Sequence, residues 1–252
     1  MPEVDVTGVN AITYPHMGSW EWHVALYLFL GGLVAGLMIF SAWLRLRNYE
    51  NVTRAIIFAD VLSFPLLAGG LLLLWLDLAR RWNAWRFYAT FQPTSAMSWG
   101  AWILLFCMIL LGLRILTHIP APAPATTTLG KIVKPVWRFV AWIGRLLAKI
   151  NPVWDVLNIS LGIGLGIYTG VLLSTIPARP LWDSLMLPVL FLVSGLASGC
   201  ALNFLVLPSN QVKQLAGYAF GISVVELLTI GGYLATLALG SEATQRALEL
   251  LL

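Results

Sequence analysis

Four polar residues that interrupt long apolar runs are where chemistry is to be looked for first: Asp60, Asn158, Tyr168 and Glu226. Such groups are costly in hydrocarbon, so they turn toward a protein interior or a cavity, where they tie helices together, bind a ligand or pass a proton. Asp60, Asn158 and Glu226 are candidates for a proton path and also for helix-packing hydrogen bonds; residue type alone leaves both open. Tyr27 and Tyr168 suggest a different use. A phenol donates to a carbonyl or accepts from a hydroxyl while its ring fills an apolar slot. Gly31, Gly32, Gly36 and Gly170 beside them allow close helix approach. The two tyrosines could therefore border a slot for a flat ligand, although an aromatic belt is the plainer reading.

The pattern argues against other chemistry. A b-type haem between helices needs two axial ligands at one depth, whereas His16 and His23 precede or open the first apolar run and His118 closes the third. The sequence has no HExxH, no Gly-rich phosphate loop and no cysteine cluster. Cys107 and Cys200 sit singly inside apolar runs and read as packing residues. We expect neither haem nor metal in this protein.

The elements that must position these residues follow from composition. Of 252 residues, 59% are hydrophobic and 10% charged, against roughly 25% charged in a soluble domain, and mean hydropathy is +0.84. The apolar residues come in runs of about 20, enough to cross about 30 Å of hydrocarbon at about 1.5 Å per residue. The sequence predicts an all-α polytopic bundle with spans at 22–44, 54–76, 97–117, 152–176, 185–207 and 212–239. Residues 131–150 set Lys131, Lys134, Arg138, Arg145 and Lys149 among Trp137, Phe139, Trp142, Ile143 and Leu146. That is too charged to cross lipid, and an amphipathic helix lying in the interface is expected. The organisation is then an N-terminal segment, 1–21, a four-helix bundle carrying the amphipathic helix, 22–176, and a second, incomplete bundle, 177–252.

Lys and Arg near the span ends give an orientation. Arg45, Arg47 and Arg54 lie between spans one and two, and six cations, Arg114 to Lys149, between three and four, whereas the N-terminal segment carries acids only. The N-terminus is expected outside. The 77–96 connection then also lies outside, although it carries Arg80, Arg81 and Arg86 against Asp77. Basic residues there call for an acidic partner or lipid phosphates. On this reading Tyr27 and Tyr168 both lie roughly 7–12 Å below the outer surface.

Four runs, in order along the sequence, resemble the NrfD/PsrC family. They are Tyr27-Leu28-Phe29-Leu30-Gly31-Gly32-Leu33 with Ala35-Gly36; Phe91-Gln92-Pro93-Thr94-Ser95 with Ser98-Trp99-Gly100-Ala101-Trp102; Tyr168-Thr169-Gly170 with Leu172-Leu173; and Ala178-Arg179-Pro180-Leu181-Trp182 with Leu187-Pro188 and Ser194-Gly195. The resemblance implies a haem-free membrane anchor subunit, not catalytic alone, that binds quinone or quinol (menaquinone or ubiquinone). It would pass electrons between the quinone pool and a ferredoxin-like 4Fe-4S iron–sulfur subunit, which serves a catalytic subunit of the molybdenum or tungsten bis-pterin class. It also implies the bacterial cytoplasmic (inner) membrane as the location, with the partners on the periplasmic face. Tyr168 becomes the quinone-binding hydrogen-bond donor, with His23 and Tyr27 as the opposite wall, and Arg80, Arg81 and Arg86 become partner-docking residues. Where the polysulfide-reductase branch is expected to carry an Asn and a His, this sequence has Val24 and Tyr27. Family members commonly have eight spans, against the six read here. A proton-coupled secondary transporter using Asp60 and Glu226 is the alternative, but no inverted repeat supports it.

Overall fold

The computed structural model describes residues 22–49, 52–78, 81–119, 128–175, 180–182, 184–240 and 244–245. Among these, eight α-helices follow in order: α1 Trp22–Leu46, α2 Thr53–Asp77, α3 Arg86–Ala89, α4 Ala96–Thr117, α5 Thr128–Ala148, α6 Asn151–Ser174, α7 Leu187–Phe204 and α8 Ser209–Ala238. Six of them, α1, α2, α4, α6, α7 and α8, are long and apolar enough to cross a bilayer, and the molecule is a multi-pass membrane protein. The N-terminal segment 1–21 lies outside the described residues.

Helical structure satisfies every backbone group within one segment, which lipid demands. Packing then decides the order of the bundle. α1 is central and lies against α2, α6 and α7, while α4 closes the bundle against α2 and α6. α1, α4 and α7 run one way and α2, α6 and α8 the other. Tyr27 and Tyr168 thus lie toward one end, here the tyrosine end, and Arg45 and Arg114 toward the other, the arginine end. Val34, Met38, Leu67, Cys107, Leu111 and Leu165 form the middle of the core.

α1 and α7 meet backbone to backbone. A Cβ built on Gly36 would lie 1.9 Å from the Gly195 carbonyl oxygen, and one on Gly195 would lie 2.4 Å from that of Gly32. No side chain fits in that crossing, so these glycines set the distance between the two helices, as small residues do in membrane bundles. α8 leans on α7 and remains mostly exposed along its length.

α5 covers 128–148 rather than 131–150 and does not qualify as a span. Its Gly144 lies against the end of α4, where an added Cβ would stand 2.0 Å from the Leu116 carbonyl oxygen. Trp154 of α6 donates from Nε1 to the Leu147 carbonyl at 2.9 Å, a second contact at the same C-terminal end of α5.

Candidate functional site

Four helix faces, from α1, α2, α4 and α6, converge at the tyrosine end. On α1, Tyr27 and Gly31 are one turn apart and share a face; on α6, Leu165, Tyr168, Thr169 and Leu172 turn toward them. Leu67, Gly70 and Leu74 of α2 and Leu104 of α4 complete an apolar slot of about 30 Å³. Tyr27 and Tyr168 are its aromatic hydroxyl-bearing walls. Tyr168 is held from behind by Gly100 of α4, where an added Cβ would stand 1.8 Å from the ring Cζ and 2.1 Å from the hydroxyl oxygen. The Tyr-Thr-Gly run thereby divides its work. Tyr168 faces the slot, Thr169 is buried beside Gly31, and Gly170 lies against Pro188, 2.4 Å from its Cα to a Cβ at that position. His23 sits one turn before Tyr27, stacked on Trp22 with ring centroids 4.0 Å apart, and does not line the slot.

A larger cavity, about 670 Å³, lies on the other face of α1. Phe29 and Leu33 of α1, Trp182, and Phe191, Ser194 and Ser198 of α7 line it. Glu226 of α8 is half-buried near its wall and accepts a hydrogen bond from Ser194.

The arginine end holds an ionic cluster. Asp60 of α2 is 1% exposed and its Oδ2 meets Arg45 Nη2 at 3.0 Å, Arg114 Nη2 at 3.4 Å and His118 Nε2 at 2.7 Å. Arg114 of α4, with no exposed surface, also meets Asp155 of α6 at 2.9 Å, and Arg45 Nε lies 3.7 Å from Asp155. Two guanidinium groups and two carboxylates from α1, α2, α4 and α6 balance, and His118 leads from the cluster toward the helix ends. Asn158, one turn from Asp155 toward the tyrosine end, is wholly buried with neither side-chain oxygen nor nitrogen hydrogen-bonded. A buried amide left so is costly and calls for water between it and its neighbours.

Of the sequence candidates, the structure brings Tyr27 and Tyr168 together at one end. Asp60 joins the cluster at the other end, close to Asn158. Glu226 shares no partner with either group. Arg81 is exposed but engaged locally: its Nε donates to the Leu76 carbonyl at 3.0 Å and its guanidinium lies 5.9 Å from the Trp75 ring centroid. Arg86 is exposed beside Trp82, 87% exposed, and Trp85, 63% exposed. Arg80 lies outside the described residues.

Arg45, Arg114, His118 and Asp155 were missed as a group by sequence reasoning, which treated the cations as basic span ends. One local signal was available: Asn151, Asp155, Asn158 and Gly162 recur at i, i+4, i+7 and i+11, one face of α6. Gly100 was quoted only as part of a motif. Its role depends on contact with another helix and leaves no local signature.

Comparison with known proteins gives a consistent result. Residues 10–247 match the family described as Polysulphide reductase, NrfD. The protein is 31% identical over 247 residues to Protein NrfD of Escherichia coli (strain K12), covering 91% of this sequence and 74% of that protein. It is 32% identical over 222 residues to a polysulfide reductase chain of Wolinella succinogenes, covering 83% and 66%. It is 29% identical over 210 residues to a tetrathionate reductase subunit of Salmonella typhimurium, covering 81% and 54%. It thus spans between about half and three quarters of the length of these relatives.

Proposed function

Because the chain belongs to the NrfD family, we propose that it is the quinone-reactive membrane subunit of an oxidoreductase complex. It would exchange electrons between the quinone pool and an iron–sulfur partner, which in turn serves a catalytic subunit of the molybdenum or tungsten bis-pterin class. Two of the relatives are named as parts of polysulfide and tetrathionate reductases, which supports a role as one subunit among several. The observation that carries the reading is the pairing of Tyr27 with Tyr168 across one apolar slot, Tyr168 being backed by Gly100.

Oxidation of a quinol releases two electrons and two protons. The Tyr168 hydroxyl is suited to accept from the quinol hydroxyl or donate to the quinone carbonyl, with Tyr27 across from it and His23 one turn toward the surface. Leucine walls exclude water and favour the ring. The slot of about 30 Å³ is of water size, so admitting a ring would require its leucine walls to move. At the opposite end, Asp60 with its arginines and His118, together with Asn158, would form a hydrated proton path toward Tyr168, roughly 15 Å from Asn158 along α6 at about 1.5 Å per residue. Glu226, on α8 with Ser194 as its partner, stands apart from that path.

The charge pattern supports an N-terminus outside, in the periplasm of a bacterial cell, with the arginine end cytoplasmic. The iron–sulfur partner would then dock on the 77–96 connection through Arg86, Arg81 and Arg80. Tyr168→Phe tests the reading because it keeps the ring and removes one hydrogen bond, about 0.5–1.5 kcal/mol. Quinone-linked turnover of the complex should fall several-fold, while electron transfer from the catalytic subunit to artificial dyes stays at its wild-type rate. Equal loss of both would make Tyr168 structural, and loss of neither would move the pocket elsewhere.

A further inference from the structure

Among its described side chains α5 carries three different faces, and one of them packs against the end of α4. Ala141, Gly144 and Ala148 recur at i, i+3 and i+7 and press against the end of α4; Ala141 is 2% exposed. Arg138 and Arg145 recur at i and i+7, which places them on one stripe of the helix, Lys149 follows in the turn just beyond its end, and all three are exposed. Phe139 and Leu146 have the same spacing one residue later, a second stripe about 100° around at 3.6 residues per turn, and Ile150, exposed, follows in the turn. Phe139 is 60% exposed, and Trp142, between the two stripes, is 50% exposed with its ring 6.0 Å from that of Phe139. No acidic residue occurs in the sequence between Asp77 and Asp155, so nothing within that stretch neutralises these cations.

We propose that α5 is a binding site for anionic phospholipid, its cationic stripe taking the headgroup phosphates and its aromatic and aliphatic stripe entering the acyl boundary of the same leaflet. A soluble polyanion would satisfy Arg138, Arg145 and Lys149 but leave Phe139, Leu146 and Ile150 in water. A neutral lipid would satisfy the apolar stripe and leave three cations without their counter-charge. An anionic lipid surface satisfies both stripes at once. Gly144 fixes the helix on α4, and the bond from Trp154 to Leu147 fixes it to α6. The two stripes are therefore presented rigidly, without the ordering cost of a free amphipathic peptide. The inference is independent of the quinone site.

Native mass spectrometry of the purified full-length protein, exchanged into detergent with equimolar phosphatidylglycerol and phosphatidylcholine, tests the proposal. The wild type should retain phosphatidylglycerol preferentially. Arg138→Gln/Arg145→Gln/Lys149→Gln should lose that preference, by roughly fivefold in affinity per cation removed, and Arg138→Lys/Arg145→Lys should keep it. Phe139→Gln/Leu146→Gln should weaken retention of phosphatidylglycerol as well, since the apolar stripe takes part. Equal retention of the two lipids by the wild type would overturn the proposal. So would a preference that survives the triple glutamine variant while Arg47→Gln/Arg54→Gln/Lys213→Gln abolishes it. Inorganic polyphosphate displacing the lipid with equal effect in wild type and Phe139→Gln/Leu146→Gln would show a soluble anion site instead.

Discussion

In the proposed quinone site Tyr168 would serve as a hydrogen-bonding wall only while its ring is fixed, and Gly100 is the residue packed against it. Gly100→Ala puts a methyl where the phenol ring lies, 1.8 Å from Cζ. Overpacking of this kind costs about 1–3 kcal/mol and is relieved by moving the neighbour. The expected outcome is a raised KM for quinol of the order of tenfold with dye-linked turnover unchanged. In a Tyr168→Leu background the added methyl should cost much less, because the two residues are in contact and their effects do not add. An equal loss in both backgrounds would mean that Gly100 serves the packing of α4 rather than the tyrosine. Tyr168 and Tyr27 were legible in the sequence as polar aromatics at matched depth on opposite-running spans. Gly100 was not, since its partner is 68 residues away and a glycine carries no chemical label of its own.

At the scale of helices, the ionic cluster ties the arginine ends of α1, α2, α4 and α6. Asp60→Asn leaves Arg114, which has no exposed surface, facing Asp155 alone, and breaking a buried pair in this way costs roughly 3–5 kcal/mol. A lowered unfolding temperature of the detergent-solubilised complex is expected. Asp60→Asn/Arg45→Gln restores the charge balance and should recover most of that stability. If the cluster also relays protons, quinone-linked turnover remains low in this double variant; full recovery of turnover would leave the cluster as a tie only. The six spans were readable because runs of about 20 apolar residues have few alternatives. Helix ends were read less well: α8 starts at Ser209 and α5 at Thr128, a few residues from their expected positions. The cluster was hidden for a physical reason. Its charges come from four helices, and each one near a span end looks like an interfacial residue until the bundle closes around it.

For the whole molecule, the two ends of the group formed by α1, α2, α4 and α6 hold different chemistry: phenols in an apolar slot at one, paired charges at the other. Under the proposed function, the basic connection beside the tyrosine end would face the partner that exchanges electrons there. Arg81→Glu/Arg86→Glu should release the iron–sulfur subunit on purification while this protein remains in the membrane. Unchanged copurification would point to lipid phosphates as their ligand. The large cavity across α1, about 670 Å³, was not foreseen, because its walls come mainly from α1, α7 and Trp182, which lie far apart in the sequence and meet only in the packed bundle. It also supplies the sharpest rival location for a ring-shaped ligand. Photoaffinity labelling of the purified complex with an azido-quinone, followed by peptide mapping, separates the two sites directly. Label on the α1 and α6 peptides at Tyr27 and Tyr168, competed away by excess quinone and reduced in Gly100→Ala, is the expected result. Label confined to α7 around Phe191 and Ser194, with Tyr168→Phe without effect, would contradict a quinone site between the two tyrosines.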